Sequence, residues 1–96
     1  MMYHFVKYAD ETEVNFTNIV KSENGEEVLY VHFERPTADG FDSVRFELPS
    51  YKIVYTEGHY SEEEIELFKK VVEKGAPYFY RWAQQGGIQI SCRWGD

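Results

Sequence analysis

The sequence predicts an α+β fold: an antiparallel sheet of about five to six strands, with two C-terminal helices packed on one of its faces. Three observations lead there. Up to about residue 60, apolar and polar side chains alternate with a period of two between turn residues. At Ser61 the period becomes helical, and after Gly86-Gly87 it returns to two. Strand runs followed by helices favour a sheet with helices on one face over a parallel sheet with helices between strands.

The first strand spans 3–8, rich in rings and closed by the polar turn Ala9-Asp10-Glu11-Thr12. The second spans 13–20, with Val14 and Phe16 on one side and Asn15 and Thr17 on the other. Ile19 breaks that alternation, as a strand end buried on both sides would. Asn24-Gly25 follows, the strongest short hairpin signal, because both residues tolerate positive φ. In 27–35, Leu29, Val31 and Phe33 point one way, and Val28, Tyr30, His32 and Glu34 the other. After the turn 36–40, Val44, Phe46 and Leu48 point inward and Ser43, Arg45 and Glu47 outward. The apolar phase then shifts from even numbers to Tyr51, Ile53 and Tyr55. A straight strand alternates strictly, so Pro49-Ser50 is a turn or a bulge.

Ser61-Glu62-Glu63-Glu64 is a capping box: the Ser hydroxyl takes a free backbone N–H, Glu64 reaches back, and acids lie at the positive end of the helix dipole. Ile65, Phe68, Val71 and Val72 form the buried stripe. Gly75 predicts the end of this helix, and Pro77 the first turn of a second over about 77–85. Last, Ile88, Ile90, Cys92 and Trp94 alternate with Gln89, Ser91 and Arg93, which predicts a returning strand within the main sheet.

Ninety-six residues fit one domain, at roughly 100–150 residues for a typical one. Seventeen aromatics give more burial than a disordered chain carries. The single Cys92 makes no internal disulfide and no Cys-rich zinc site. The first seven residues lack the basic-then-apolar order of a signal peptide, and no stretch approaches the ~18 apolar residues of a membrane span, so the cytoplasm is the expected location. A net charge of −7 argues against direct binding to a phosphate backbone. That charge is divided: residues 1–66 carry −10 and residues 67–96 carry +3. No phosphate loop, dinucleotide fingerprint, zinc-protease helix or nucleophile elbow is present, and no motif is specific enough to name a family.

Five groups of residues are chemical candidates. Tyr30, His32 and Glu34 share a sheet face with Arg45 and Glu47. A histidine beside a carboxylate is a sensible general base, although open sheets present polar pairs to water in any case. His4, His32 and His59, with Glu57, supply zinc-type ligands, yet nothing in their spacing brings them together. Cys92 shares its face with Ile88, Ile90 and Trp94, which is the setting of a core thiol rather than a nucleophile. The run Tyr78-Phe79-Tyr80-Arg81-Trp82 is too ring-rich for one helix face, since successive residues turn by about 100°. Phe79, Trp82 and Ala83 make the buried stripe, which leaves Tyr78, Arg81 and Tyr80 for a contact surface. Finally, Glu57, Glu62, Glu63, Glu64 and Glu66 form an acidic run of the kind that imitates DNA phosphates, or that merely solvates a helix start.

These candidates favour a small cytoplasmic protein-interaction module without catalysis, cofactor or metal. Its contact surface is the second helix, through Tyr78, Tyr80, Arg81 and Trp82, and self-association is one form of that contact. The alternative is a small enzyme or ligand binder on the polar sheet face, with His32 as base, Glu34 beside it and Arg45 holding an anion. A further alternative is an acidic inhibitor of a nucleic-acid-binding protein. The expected partner is a protein, not a nucleic acid or a membrane.

Overall fold

Six strands and one helix are built from residues 2–84, which are the residues that the structure, a computed structural model, describes. The strands are β1 (Met2–Lys7), β2 (Glu13–Thr17), β3 (Val20–Lys21), β4 (Glu27–Thr37), β5 (Gly40–Leu48) and β6 (Lys52–Glu57), and the helix is α1 (Glu62–Gln84). All pairings are antiparallel in the order β1-β2-β4-β5-β6, with β3 also on β4. The α+β class and the antiparallel sheet are therefore as the periodicity predicts. The returning strand at 88–94 lies outside the described residues.

Only one helix runs where two are predicted. Gly75 and Pro77 fall inside α1 rather than between two helices. The reason is that the buried stripe keeps its phase across both, through Phe68, Val72, Ala76, Phe79 and Ala83. A helical Gly costs about 1 kcal/mol and an interior Pro about 3 kcal/mol against Ala. Burying Phe68, Val72 and Phe79 at about 1.5–3 kcal/mol each outweighs that. Gly75 has a packing role here: a Cβ on it would lie 2.8 Å from Phe79 Cε2 and 2.9 Å from Cζ. The start of the helix follows the capping box. Ser61 N donates to Glu64 Oε1 at 2.9 Å, and Glu64 N donates to Ser61 Oγ at 3.1 Å.

Three register shifts bend the sheet. In β1, Phe5 is the extra residue between the pairs His4–Asn15 and Val6–Val14, so Phe5 and Val6 both pack on the core. The strand predicted at 13–20 is interrupted at Asn18-Ile19. The pairing on β4 slips by one between Phe16–Val31 and Val20–Val28, which turns Ile19 onto the core. In β6, Val54 is extra between Ile53–Phe46 and Tyr55–Arg45. Ile53 and Tyr55 thus lie on opposite faces, not on one, because a bulge reverses the alternation. The turn at Pro49-Ser50 is present, with Tyr51 at φ 61° and its N–H donating to Glu47 O at 2.7 Å.

The core lies between α1 and the inner face of the sheet. Phe68 stacks on Phe33 with centroids 4.3 Å apart, while Phe79 meets Phe5 at 4.9 Å and Phe16 at 5.1 Å. The helix thus crosses from β4 at its start to β1 and β2 at its end. All six residues of β6 remain exposed.

Candidate functional site

The outer face of the sheet carries one polar row across five strands. His4 pairs with Asn15, Asn15 with His32, His32 with Arg45, and Arg45 with Tyr55. His32 is buried within this row, at 8% exposure. Its Nδ1 faces Arg45 Nε at 3.4 Å, and its Nε2 faces Glu34 Oε2 at 3.5 Å. Accepting from Arg45 at Nδ1 places the imidazole proton on Nε2, toward Glu34. Burial and the Arg45 charge pull the imidazole below its ordinary pKa, and Glu34 opposes them without prevailing. This differs from the general base the sequence suggests, whose pKa a carboxylate raises. The neutral imidazole is thereby favoured, and both ring nitrogens have polar neighbours. His32, Glu34 and Arg45 do come together on this face, across β4 and β5.

The three histidines do not converge. His4 and His32 stand in one row with β2 between them, about 10 Å apart by strand spacing. His59 lies beyond β6, where its backbone N–H donates to Asp42 Oδ1 at 2.8 Å. Among the described residues, no group of three or more His, Cys, Asp or Glu side chains is arranged to hold a metal ion. Cys92 lies outside the described residues.

The aromatic run occupies the last turns of α1. Phe79 is fully buried, Tyr80 and Trp82 are half-buried, and Arg81 is exposed. Tyr78 is 39% exposed although its ring meets Phe5 at 5.1 Å and Trp82 at 6.0 Å. Its position is therefore fixed by neighbours while part of the ring stays open to solvent.

One constellation escapes the sequence reading. Arg35 gives Nε and Nη2 to Asp42 Oδ2 at 3.2 and 2.7 Å, and Nη1 to Asp10 Oδ2 at 3.2 Å and Glu64 Oε2 at 3.0 Å. Its guanidinium also lies 4.5 Å from the centroid of the Tyr60 ring. Tyr60 OH meets Thr12 Oγ1 at 3.0 Å, and Thr12 is buried. Hydrogen bonds from Arg35 and from the His59 N–H hold Asp42 below the usual carboxylate range. Asp10 is lowered first by the Thr12 N–H, and Glu64 first by the Ser61 N–H. A signal existed: Arg35 and Asp42 are directly paired across the β4–β5 hairpin, and opposite charges equidistant from a turn meet in that register. The cation is saturated by protein carboxylates, so this cluster is a joint between sheet and helix rather than an anion site.

Among the described residues, no helix is long and apolar enough to cross a membrane. Compared with protein-family models, with curated proteins and with solved structures, the chain matches none.

Proposed function

We propose that the chain is a non-catalytic protein-interaction module whose contact surface is the C-terminal half of α1, centred on Tyr78 and Arg81, with Tyr80 and Trp82 as its base. The observation that carries this reading is the Tyr78 ring, held in place by Phe5, Phe16 and Trp82 yet 39% exposed, on the same turn as the exposed Arg81. A pre-ordered Tyr next to Arg loses little side-chain entropy on docking and offers both apolar area and a forked donor. Lys69, Lys70 and Lys74 on the same helix add positive charge, so the fitting partner presents carboxylates around an apolar patch. The polar neighbours at both nitrogens of His32 support this reading over proton chemistry on the sheet face.

The test compares the wild type with Tyr78→Ala and Arg81→Ala. In-cell crosslinking read by mass spectrometry reports a different protein as partner, and light scattering of the purified chain reports self-association. Each substitution should weaken the contact roughly tenfold or more. An interaction that survives both substitutions unchanged would reject the helix surface.

A further inference from the structure

The far edge of β6 pairs with no strand among the described residues, and all six of its residues are exposed. Ile53, Val54 and Tyr55 are 43%, 39% and 46% exposed, an apolar run at an open sheet edge. An edge of this kind is a template for another strand. The bulge at Val54 decides which strand fits. Val54 borders a hollow of about 340 Å³ with Tyr30, Glu47 and Lys52, so it lies on the outer face. Tyr55 is also on that face, with its ring 6.5 Å from His32 and its hydroxyl bonded to Glu57 Oε1 at 2.5 Å. Ile53 and Thr56 pair with the buried Phe46 and Val44 and so lie on the inner face. Along β6 the faces therefore run outer, inner, outer, outer, inner, outer.

That order reads the same in both directions. We infer that β6 pairs antiparallel with β6 of a second copy about a two-fold axis, continuing the sheet from one molecule into the next. In this register every opposed pair shares a face. Ile53 meets Thr56 of the second copy, Val54 meets Tyr55, and Lys52 meets Glu57. A straight six-residue strand would put the first and last of these residues on opposite faces, so the charge match exists only because of the bulge. Neither Lys52 nor Glu57 has an ion-pair partner among the described residues. The symmetry uses each pair twice, as an isologous contact requires. This surface lies apart from Tyr78 and Arg81 and does not rest on the helix reading.

The experiment is sedimentation equilibrium of the full chain at increasing concentration and fixed salt. The wild type should move from 11.4 kDa toward twice that mass. Lys52→Glu alone should weaken the dimer roughly tenfold, because two attractive pairs become repulsive. Glu57→Lys alone should do the same, and the double exchange should return the wild-type constant. Val54→Lys, which sets a charge against the apolar centre, should leave a folded monomer by circular dichroism. A wild type monomeric throughout overturns the inference, as does a double exchange that fails to rescue. Association lost in Tyr78→Ala but kept in Val54→Lys overturns it too and transfers the contact to α1. So does a monomer whose β6 amides are already protected from exchange, since residues 85–96 would then be the occupant.

Discussion

Asp42 is a buried carboxylate whose two oxygens have separate tasks: Oδ2 takes Arg35, and Oδ1 takes the His59 N–H. The second bond brings the chain so close that only a glycine fits just before it. Gly58 sits at φ +82°, and a Cβ there would lie 2.8 Å from both Asp42 Cα and Phe41 O. Both the left-handed φ and the backbone clash exclude a side chain. His32 carries a different consequence. Its folded pKa is depressed below the ordinary 6.5 by burial and by Arg45. Below about 6.5 the unfolded chain therefore binds more protons than the folded one, and stability declines as pH declines. The contribution is complete above the unfolded value and is lost as pH drops through the folded one. Thermal unfolding followed from pH 7 to pH 5 should show the midpoint falling, and His32→Gln should flatten that slope even if it lowers the pH 7 value. The sequence placed His32, Glu34 and Arg45 correctly on one face. It missed the direction of the shift, because the burial of one residue depends on the bulk of neighbours such as Tyr30 and Tyr55.

At the scale of elements, α1 illustrates how tertiary burial overrides local breakers. Gly75 and Pro77 are the residues that end helices by propensity, and here neither does. Pro77 removes one backbone donor and its ring presses on the preceding turn, while the stripe from Phe68 to Ala83 holds the segment in place. Pro77→Ala should therefore stabilise the protein, by about 1–3 kcal/mol. Urea unfolding monitored by circular dichroism measures it, and a loss of stability would mean that the ring itself packs usefully. Gly75→Ala is not equivalent, because the gain in propensity meets the Phe79 ring at 2.8 Å. The capping box was legible because its four residues are contiguous. The bulges at Phe5, Asn18-Ile19 and Val54 were not, since a register shift is a property of two strands, and one strand's sequence records only a disturbed alternation. Ile19 was such a disturbance, and so was the passage from even to odd positions after Leu48.

Across the whole molecule, Arg35 is where separate parts of the chain meet: the β1–β2 turn through Asp10, β5 through Asp42, the 58–60 loop through Tyr60, and α1 through Glu64. Those three carboxylates are all held below their ordinary range. Depressed carboxylates contribute stability that is present above their unfolded pKa values, near 4, and is lost as pH falls through the folded values. Arg35→Met removes one cause of each depression. It should lower the unfolding midpoint at pH 7 and make the further decline from pH 5 to pH 2 shallower than in the wild type, both readable by thermal denaturation in a pH series. The sheet-and-helix plan was legible from periodicity alone. The joint at Arg35 was not, because Asp10 and Glu64 lie 25 and 29 residues away from it, and only the β2–β4 pairing and the packed helix bring them there.

The register shifts also bear on how this chain tolerates changes in length. Removing a residue from a regular strand turns everything beyond it inside out, so that Phe16 or Val44 would exchange places with a polar neighbour. At Phe5, at Asn18-Ile19 and at Val54 the strand already carries one residue more than its partner needs. A deletion there straightens the ladder and leaves every later side chain on its own side. Shortening by a single residue is thus tolerable at the exposed Val54, costs a core ring at Phe5, and is ruinous inside a regular strand.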